Sequence, residues 1–389
     1  MFKIPKVILD VDISIAFGRG VFRGVVKYVR LHGPWNLISK PPFYRQLKRT
    51  PIEKSNADGI IMHTDDIRKI QRVSMSGIPA IVSYMKKPAK NLPILICDDD
   101  EIGKMAAEHL LSCYLKSFAF CGYNDFHWSR DRQDSFSKKI AKAGFKTYTY
   151  KQPASRIKQL WENEKIIIAD WLKSLPKPVG LMACNDYRGQ QVIEACKSVD
   201  IHIPDGVAII GVDNDEQICE LTDPPLSSVI LNAENAGYEA AKLLDKFMAG
   251  KKMTNQKILV RPGGVYVRQS TNILAIEDKH IAKAVNFIRQ HAKHPIQVND
   301  VARAVGLSRR ILEIRFRKIL GRSVHDEIQY IRIEQIARML IETNLSVSYI
   351  STTLGYPSLG HIARYFKKIK GLNPTDYRKK YGPSFSVFR

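Results

Sequence analysis

A change of period near residue 277 divides this chain of 389 residues into two stretches that cannot share one fold. Before it, short apolar runs recur at 7–9, 59–62, 80–83, 94–97, 118–121, 179–183 and 207–212, with helical patterns at 21–30, 102–112, 134–143 and 189–197. Apolar strands alternating with helices predict parallel sheets covered on both faces. Seven or more such units are too many for one sheet of ordinary size, so two α/β lobes are expected. After the charged joint at 277–279 the period is helical only, and no strand-like run returns.

The last 110 residues repeat themselves. Val301-Ala302, Gly306-Leu307-Ser308, Phe316 and Gly321 recur as Ile350-Ser351, Gly355-Tyr356-Pro357-Ser358, Phe366 and Gly371, offset by 49 residues before Pro357 and 50 after it. Each copy reads as a helix, a glycine in the turn, a serine N-cap, a basic second helix and a glycine C-cap. Leu312, Phe316 and Ile319, and in the second copy Ile362, Phe366 and Ile369, fall at helical spacing and are expected in the core. Their neighbours are then expected to face outward. On the first helix these are Arg309, Arg310, Glu313, Arg317 and Lys318 behind the Ser308 cap; on the second they are Leu359, Gly360, His361, Arg364 and Lys367 behind Ser358. Basic and polar groups in the first turns of such a helix reach base edges in the major groove, so these are the candidate DNA contacts. Between the copies, 324–343 carries Ile328, Ile331, Ile336, Met339 and Leu340 at helical spacing without Gly or Pro. A helix of that length spans about 30 Å, close to one turn of B-DNA, so one chain could set two helices into successive major grooves.

Charge agrees with a polyanion partner. From His280 onward 20 Lys and Arg stand against 7 Asp and Glu, so 13 of the 23 net positive charges fall on the last 110 residues. The six cysteines show no C-x-x-C pair and read as reduced core thiols. With no window of 18 apolar residues and no apolar stretch of signal-peptide length before Asp10, a cytoplasmic protein without a membrane partner is expected. His280, His291 and His294 lack a nearby cysteine or third ligand, so neither metal nor cofactor is expected.

In open parallel sheets the ligand crevice lies beyond the carboxyl ends of the strands. Asp98, Asn185, Asp186 and Asp213 stand at such ends and can accept from neighbouring hydroxyls. Trp128, Arg130 and Arg132 follow the 118–121 run in an expected loop, where an aromatic face could cover a sugar and a guanidinium could donate to it. Phe17 and Arg19 would close from the other lobe. The competing role is structural, because Asp or Asn after a strand also caps the next helix.

Two motifs suggest other chemistry. Gly18-Arg-Gly20-Val-Phe-Arg23-Gly24 approaches a dinucleotide fingerprint, but Arg23 stands at the third-glycine position, where close packing needs no side chain. Val7-Ile-Leu-Asp10-Val-Asp12 resembles the opening of haloacid-dehalogenase-like phosphatases, with Asp10 as nucleophile and Asp12 as general acid. No partner Lys or acidic pair follows in family order. A sugar phosphatase and an architectural DNA binder without a ligand are the alternatives to a ligand-gated DNA-binding protein.

Asp98-Asp99-Asp100-Glu-Ile-Gly103 through to Phe118-Ala-Phe-Cys-Gly122 resembles the core of LacI-type regulators and periplasmic sugar-binding proteins. So do Arg132-Gln-Asp-Ser-Phe136, Cys184-Asn185-Asp186, Ile203-Pro204-Asp205-Gly206-Val207, Ile210-Gly211-Val212-Asp213 and Pro224-Pro225-Leu226-Ser227-Ser228-Val229. That likeness implies a sensor over 1–275, with one lobe at 1–97 and 231–257 and the other at 98–230 and 258–271. LacI-type regulators carry a helix-turn-helix before the first strand; here the strand begins almost at Met1, which moves the expected DNA contact elsewhere. Residues 280–389 supply it: with Gly355-Tyr356, Phe366-Lys367-Lys368, Gly371 and Pro374-Thr375-Asp376-Tyr377-Arg378 they resemble the AraC-type DNA-binding module. The combined resemblance implies a two-lobed α/β sensor followed by an all-α double helix-turn-helix domain. It also implies a homodimer that regulates pentose genes from a double-stranded operator. D-xylose or a related pentose would be its effector, and RNA polymerase its partner if it activates. A module from about His280 is expected to fold by itself.

Overall fold

The structure, a computed structural model, describes residues 4–39, 55–83, 92–153, 161–251, 256–356 and 359–381. The chain divides into two compact units, Met1–Glu108 with Ser117–Thr271 and His109–Lys116 with Asn272–Arg389.

The first unit holds two six-stranded sheets. One contains β1 (Lys6–Asp10), β2 (Asn36–Ser39), β3 (Gly59–His63), β4 (Ala80–Ser83), β5 (Ile94–Cys97) and β11 (Lys257–Val260), in the order β11-β5-β4-β3-β1-β2 and parallel throughout. The other contains β6 (Ser117–Cys121), β7 (Thr147–Thr149), β8 (Val179–Ala183), β9 (Val207–Asp213), β10 (Ser227–Leu231) and β12 (Pro262–Tyr266), in the order β12-β10-β9-β8-β6-β7, with β12 alone antiparallel. The β9 run from Val207 to Val212 is wholly buried, as a central strand covered on both faces must be. Lys257 pairs with Ile94 and Val260 with Cys97, so the chain crosses between lobes after Val260 and not at 257 as expected. Exposed Lys257 and Leu259 alternate with Ile258 and Val260, but the sequence Lys-Ile-Leu-Val has no polar–apolar alternation that would have marked the strand.

Helices flank the sheets: α1 (Ala16–His32), α2 (Ile67–Met75), α3 (Asp99–Ser112), α4 (His127–Lys142), α5 (Trp161–Ser174), α6 (Asp186–Lys197), α7 (Glu216–Leu221) and α8 (Ala233–Met248). The glycines of the fingerprint-like stretch serve packing. A Cβ on Gly24 would lie 1.9 Å from the Glu234 carbonyl oxygen, and one on Gly237 would lie 2.2 Å from that of Val21. Backbone therefore touches backbone where α1 crosses α8, an approach open only to glycine.

The second unit contains α9 (Lys279–His291), α10 (Val298–Val305), α11 (Arg309–Leu320), α12 (Val324–Glu342), α13 (Val347–Thr353), α14 (Leu359–Lys370) and α15 (Pro374–Tyr381). The repeat is visible in its backbone: Gly306 and Gly355 have φ of +69° and +67°, Gly321 and Gly371 +69° and +76°. Each copy builds its own core. Val301, Leu312, Phe316 and Ile328 belong to one cluster, and Ile336, Leu340, Ile350, Ile362 and Phe366 to the other. The single helix α12 enters both, and its 19 residues span about 28 Å. In the first cluster Tyr114, Leu274 and Ile276 pack against the helices. The Tyr114 hydroxyl donates to Glu327 (2.6 Å) and accepts from Arg322 (2.8 Å), which also pairs with Glu327 (2.5 Å).

Candidate functional site

The candidate ligand site is built where the strands of both sheets end. Its firmest element is Arg132. This residue lies in the second turn of α4, so Trp128, Arg130 and Arg132 stand on a helix and not on the expected loop. Arg132 is 4% exposed, donates to Asp99 (2.8 Å) and the Cys184 carbonyl (2.6 Å), and lies 4.9 Å from the centre of the Trp128 ring. Trp128 stacks in turn on Phe126 at 5.5 Å. Arg130 is exposed and donates to the Asn124 carbonyl instead. From the other lobe, Phe17 packs against His63 (5.4 Å), and Arg19 reaches Asp215 across 196 residues of sequence at 2.7 Å.

Asp213, the last residue of β9, and Asn214 after it have φ of +107° and +49°, backbone that L residues with side chains rarely adopt. Surrounding groups hold that turn. Asp186, completely buried, accepts from the Ser228 hydroxyl (2.6 Å) and the Asp215 amide (2.7 Å). Ser228 accepts from the Asn214 amide (3.0 Å), and Arg268 donates to the Asn214 side chain (2.9 Å). A Cβ on Gly211 would sit 2.2 Å from the Asp186 carboxylate, which explains glycine inside this strand. Asp186, expected to meet a ligand hydroxyl, is thus committed to shaping the turn. Asn185 and Asp98 are caps, accepting from Arg188 N (2.9 Å) and Glu101 N (3.3 Å).

The residues that the sequence reading passed over are Asp99, the partner of Arg132, and Asp215. Asp215 is 3% exposed, and its Oδ1 is buried without a protein partner. A buried acceptor left unpaired costs about 1–3 kcal/mol, so it is poised for a hydroxyl donor.

Asp213 is half-buried, and its carboxyl is pushed up to about 6 by burial, with Arg132 pulling it down and Asp215 and Asp99 adding to the rise. A carboxyl raised in the folded state binds its proton more tightly there than in the unfolded chain. The fold therefore loses stability as pH rises from about 4 to about 6, and carries that cost at neutral pH. Asp213→Asn removes it. At pH 7.5 without sugar the variant is expected to melt about 2–4 °C above wild type, a gain of about 1 kcal/mol after screening at a half-buried group, and the gap should narrow below about pH 6 and close near about pH 4. Sugar binding should weaken roughly 5- to 150-fold. An unchanged melting temperature at pH 7.5 with retained sugar affinity would remove Asp213 from the site.

The second candidate surface lies on α11 and α14. Arg309, Arg310 and Arg317 are exposed on the first helix, as are Leu359, Gly360, Arg364 and Lys367 on the second. Glu313 is half-buried with Arg317 at 3.9 Å, and Ser308 caps α11 by accepting from Ile311 N (3.3 Å). Leu312, Phe316, Ile362 and Phe366 are fully buried, but Ile319 is 41% exposed, contrary to expectation, because the last turn of α11 packs on the core through Leu320 instead. Ser358 lies outside the described residues, as does the side chain of His361.

Residues 107–271 match the periplasmic binding protein-like domain family, and residues 301–380 a helix-turn-helix domain family. The chain is 30% identical to the xylose operon regulatory protein of Escherichia coli K12 over 384 residues, which cover 97% of each chain. It is also 30% identical to that of Haemophilus influenzae, over 96% of this chain and 98% of the relative. The chain belongs to the xylose operon regulatory protein family. A solved structure described as the xylose-binding transcription activator xylR superposes with a TM-score of 0.62 at 30% identity, covering 98% of this chain and all of the other. As a member of the xylose operon regulatory proteins, the chain is a sugar-responsive DNA-binding regulator of transcription. In this family member, Asp10 and Asp12, the pair that suggested a phosphatase, are engaged by the protein itself. Lys69 pairs with Asp10, and Ser14 donates to Asp12 from both its amide (3.0 Å) and its hydroxyl (2.6 Å).

Proposed function

We propose that the protein is a cytoplasmic, non-enzymatic activator that binds D-xylose or a related pentose between its lobes and engages its operator as a homodimer, in contact with RNA polymerase. The observation that carries the effector is the convergence of Arg132, Trp128, Asp213 and the unpaired Asp215 oxygen with Arg19 of the opposite lobe. A pentose offers hydroxyls to the carboxylates, a ring oxygen to the guanidinium and a C–H face to the indole. The names of the full-length relatives support xylose within that class. The Arg19–Asp215 pair joins the lobes at 2.7 Å, so a ligand that takes over Asp215 releases Arg19 and gains differential affinity for a second arrangement of the lobes.

Calorimetric titration of the full-length protein with a panel of pentoses and hexoses tests the reading, together with operator affinity at fixed salt with and without each sugar. D-xylose should bind more tightly than the hexoses and change operator affinity, with sedimentation reporting a dimer. A panel in which no pentose binds, or in which pentose binding leaves operator affinity unchanged, overturns it.

A further inference from the structure

The outward face of α11 is not wholly cationic. Ile311 is 48% exposed and Ile314 58% exposed. Successive residues of a helix turn by about 100°, which puts Ile314 about 180° from the mean direction of the buried Leu312 and Phe316. Ile314 is thus the centre of the outward face, with Arg310 and Arg317 to one side and Lys318 to the other. One exposed isoleucine is ordinary on a protein surface. One at the middle of a face flanked by exposed cations, directly opposite the core, needs an apolar partner inside a polyanion.

The repeat sharpens the point. At the 50-residue offset, Arg317 and Lys318 correspond to Lys367 and Lys368, so both helices keep a cation on either side of the centre, while Arg310 gives way to Gly360. At the centre they differ: Ile314 corresponds to Arg364, which is exposed on α14. In the major groove the C5-methyl of thymine is the apolar feature, whereas O6 and N7 of guanine form the paired acceptor that a guanidinium matches. Cations flanking the centre suit phosphates, which position a helix without reading sequence.

We propose that the two recognition helices read different bases at corresponding places in their half-sites. Ile314 packs on a thymine methyl where, one turn of DNA away, Arg364 takes the acceptor edge of a guanine. The inference rests on the reading of the module as a sequence-specific DNA binder, and it makes the operator a pair of unequal half-sites.

The test starts from a duplex selected from random sequence with the full-length protein. Each thymine is then replaced singly by deoxyuridine, which lacks only the methyl, and each guanine by 7-deazaguanine, which lacks N7. Wild type should lose about fourfold in affinity at one thymine of one half-site, the worth of one buried methyl. The Ile314→Ala variant should bind about fourfold more weakly and show no further loss at that thymine. Arg364→Ala should behave likewise towards one guanine about 10 base pairs away, with a loss of fivefold or more. Ile314 is exposed, so the variant should keep the urea midpoint of wild type, and the loss is then one of contact and not of fold. If Ile314→Ala stays sensitive to deoxyuridine at every position where wild type is, the assignment is overturned while specific binding stands. If no duplex is enriched and binding follows salt alone, both the assignment and the specific-binding reading fail.

Discussion

Replacing Arg132 by methionine is expected to abolish the sugar response and to cost the sensor about 3–5 kcal/mol, the largest single loss anticipated for this protein. The guanidinium is buried, ties Asp99 at 2.8 Å and the Cys184 carbonyl at 2.6 Å, and faces Trp128. Its removal leaves Asp99, already raised by burial and held down chiefly by Arg132, as a poorly compensated charge. It also lifts the opposing pull from Asp213. Urea midpoints measure the cost. Asp99→Asn in the same chain removes the stranded charge, so the double variant should be more stable than the sum of the two single changes predicts, by more than 0.5 kcal/mol. Strict additivity would mean that Arg132 and Asp99 do not act as a unit. Sugar binding should stay lost in the double variant, since the donor is gone in either case.

Phe366→Ala should remove about 3–5 kcal/mol from the second copy of the helical repeat while sparing the first. Phe366 is fully buried and meets Tyr377 edge to face at 5.1 Å, within the cluster that also contains Ile336, Leu340 and Ile362. Phe316 is its counterpart in a separate cluster. Circular dichroism of the full-length variant should lose the helix content of the second copy only. The slope of log affinity against log salt should fall by about half, because half of the phosphate contacts are lost. Simultaneous melting of both copies would show that α12 transmits the defect from one core to the other. The Phe316→Ala variant then provides the mirror experiment, with the opposite half-site losing its effect on affinity.

The parts of this protein visible in the sequence are those with a local period. The run Val207–Val212, the 49- and 50-residue offsets and the glycine caps each carry their own signature within a few residues. The ligand site is harder to read because two roles compete for one position. A polar residue just past a strand can cap the next helix or face a ligand, and Asp98, Asn185 and Asp213 look alike in that respect. The carboxylates beside them are assigned by distant residues: Asp186 is claimed by Ser228, 42 residues on, and Asp215 by Arg19, 196 residues back. The glycines near Gly24 mislead for the same reason, since the helix they fit against begins at Ala233. Ile319 and Ile314 have the apolarity of core residues, and only the end of α11 and the angle around it place them outside.

The segment His109–Lys116 matters to anyone who would transplant the DNA-binding module. Those eight residues are counted with the helical unit although more than 150 residues of chain separate them from it. A fragment begun at residue 280 would leave behind Tyr114, Leu274 and Ile276, which pack on its first cluster, and Asp278, which caps α9 and pairs with Arg315 at 2.7 Å. It would also leave Glu327, whose carboxyl burial already pushes up, with Arg322 but without the Tyr114 hydroxyl. A chimaera that joins this module to a foreign sensor therefore has to bring Asn272–Asp278 along and replace what Tyr114 provides. Grafted without that tyrosine, the first helix-turn-helix copy would suffer and the second would not, so a failed swap would register as the loss of one half-site and not as silence at both.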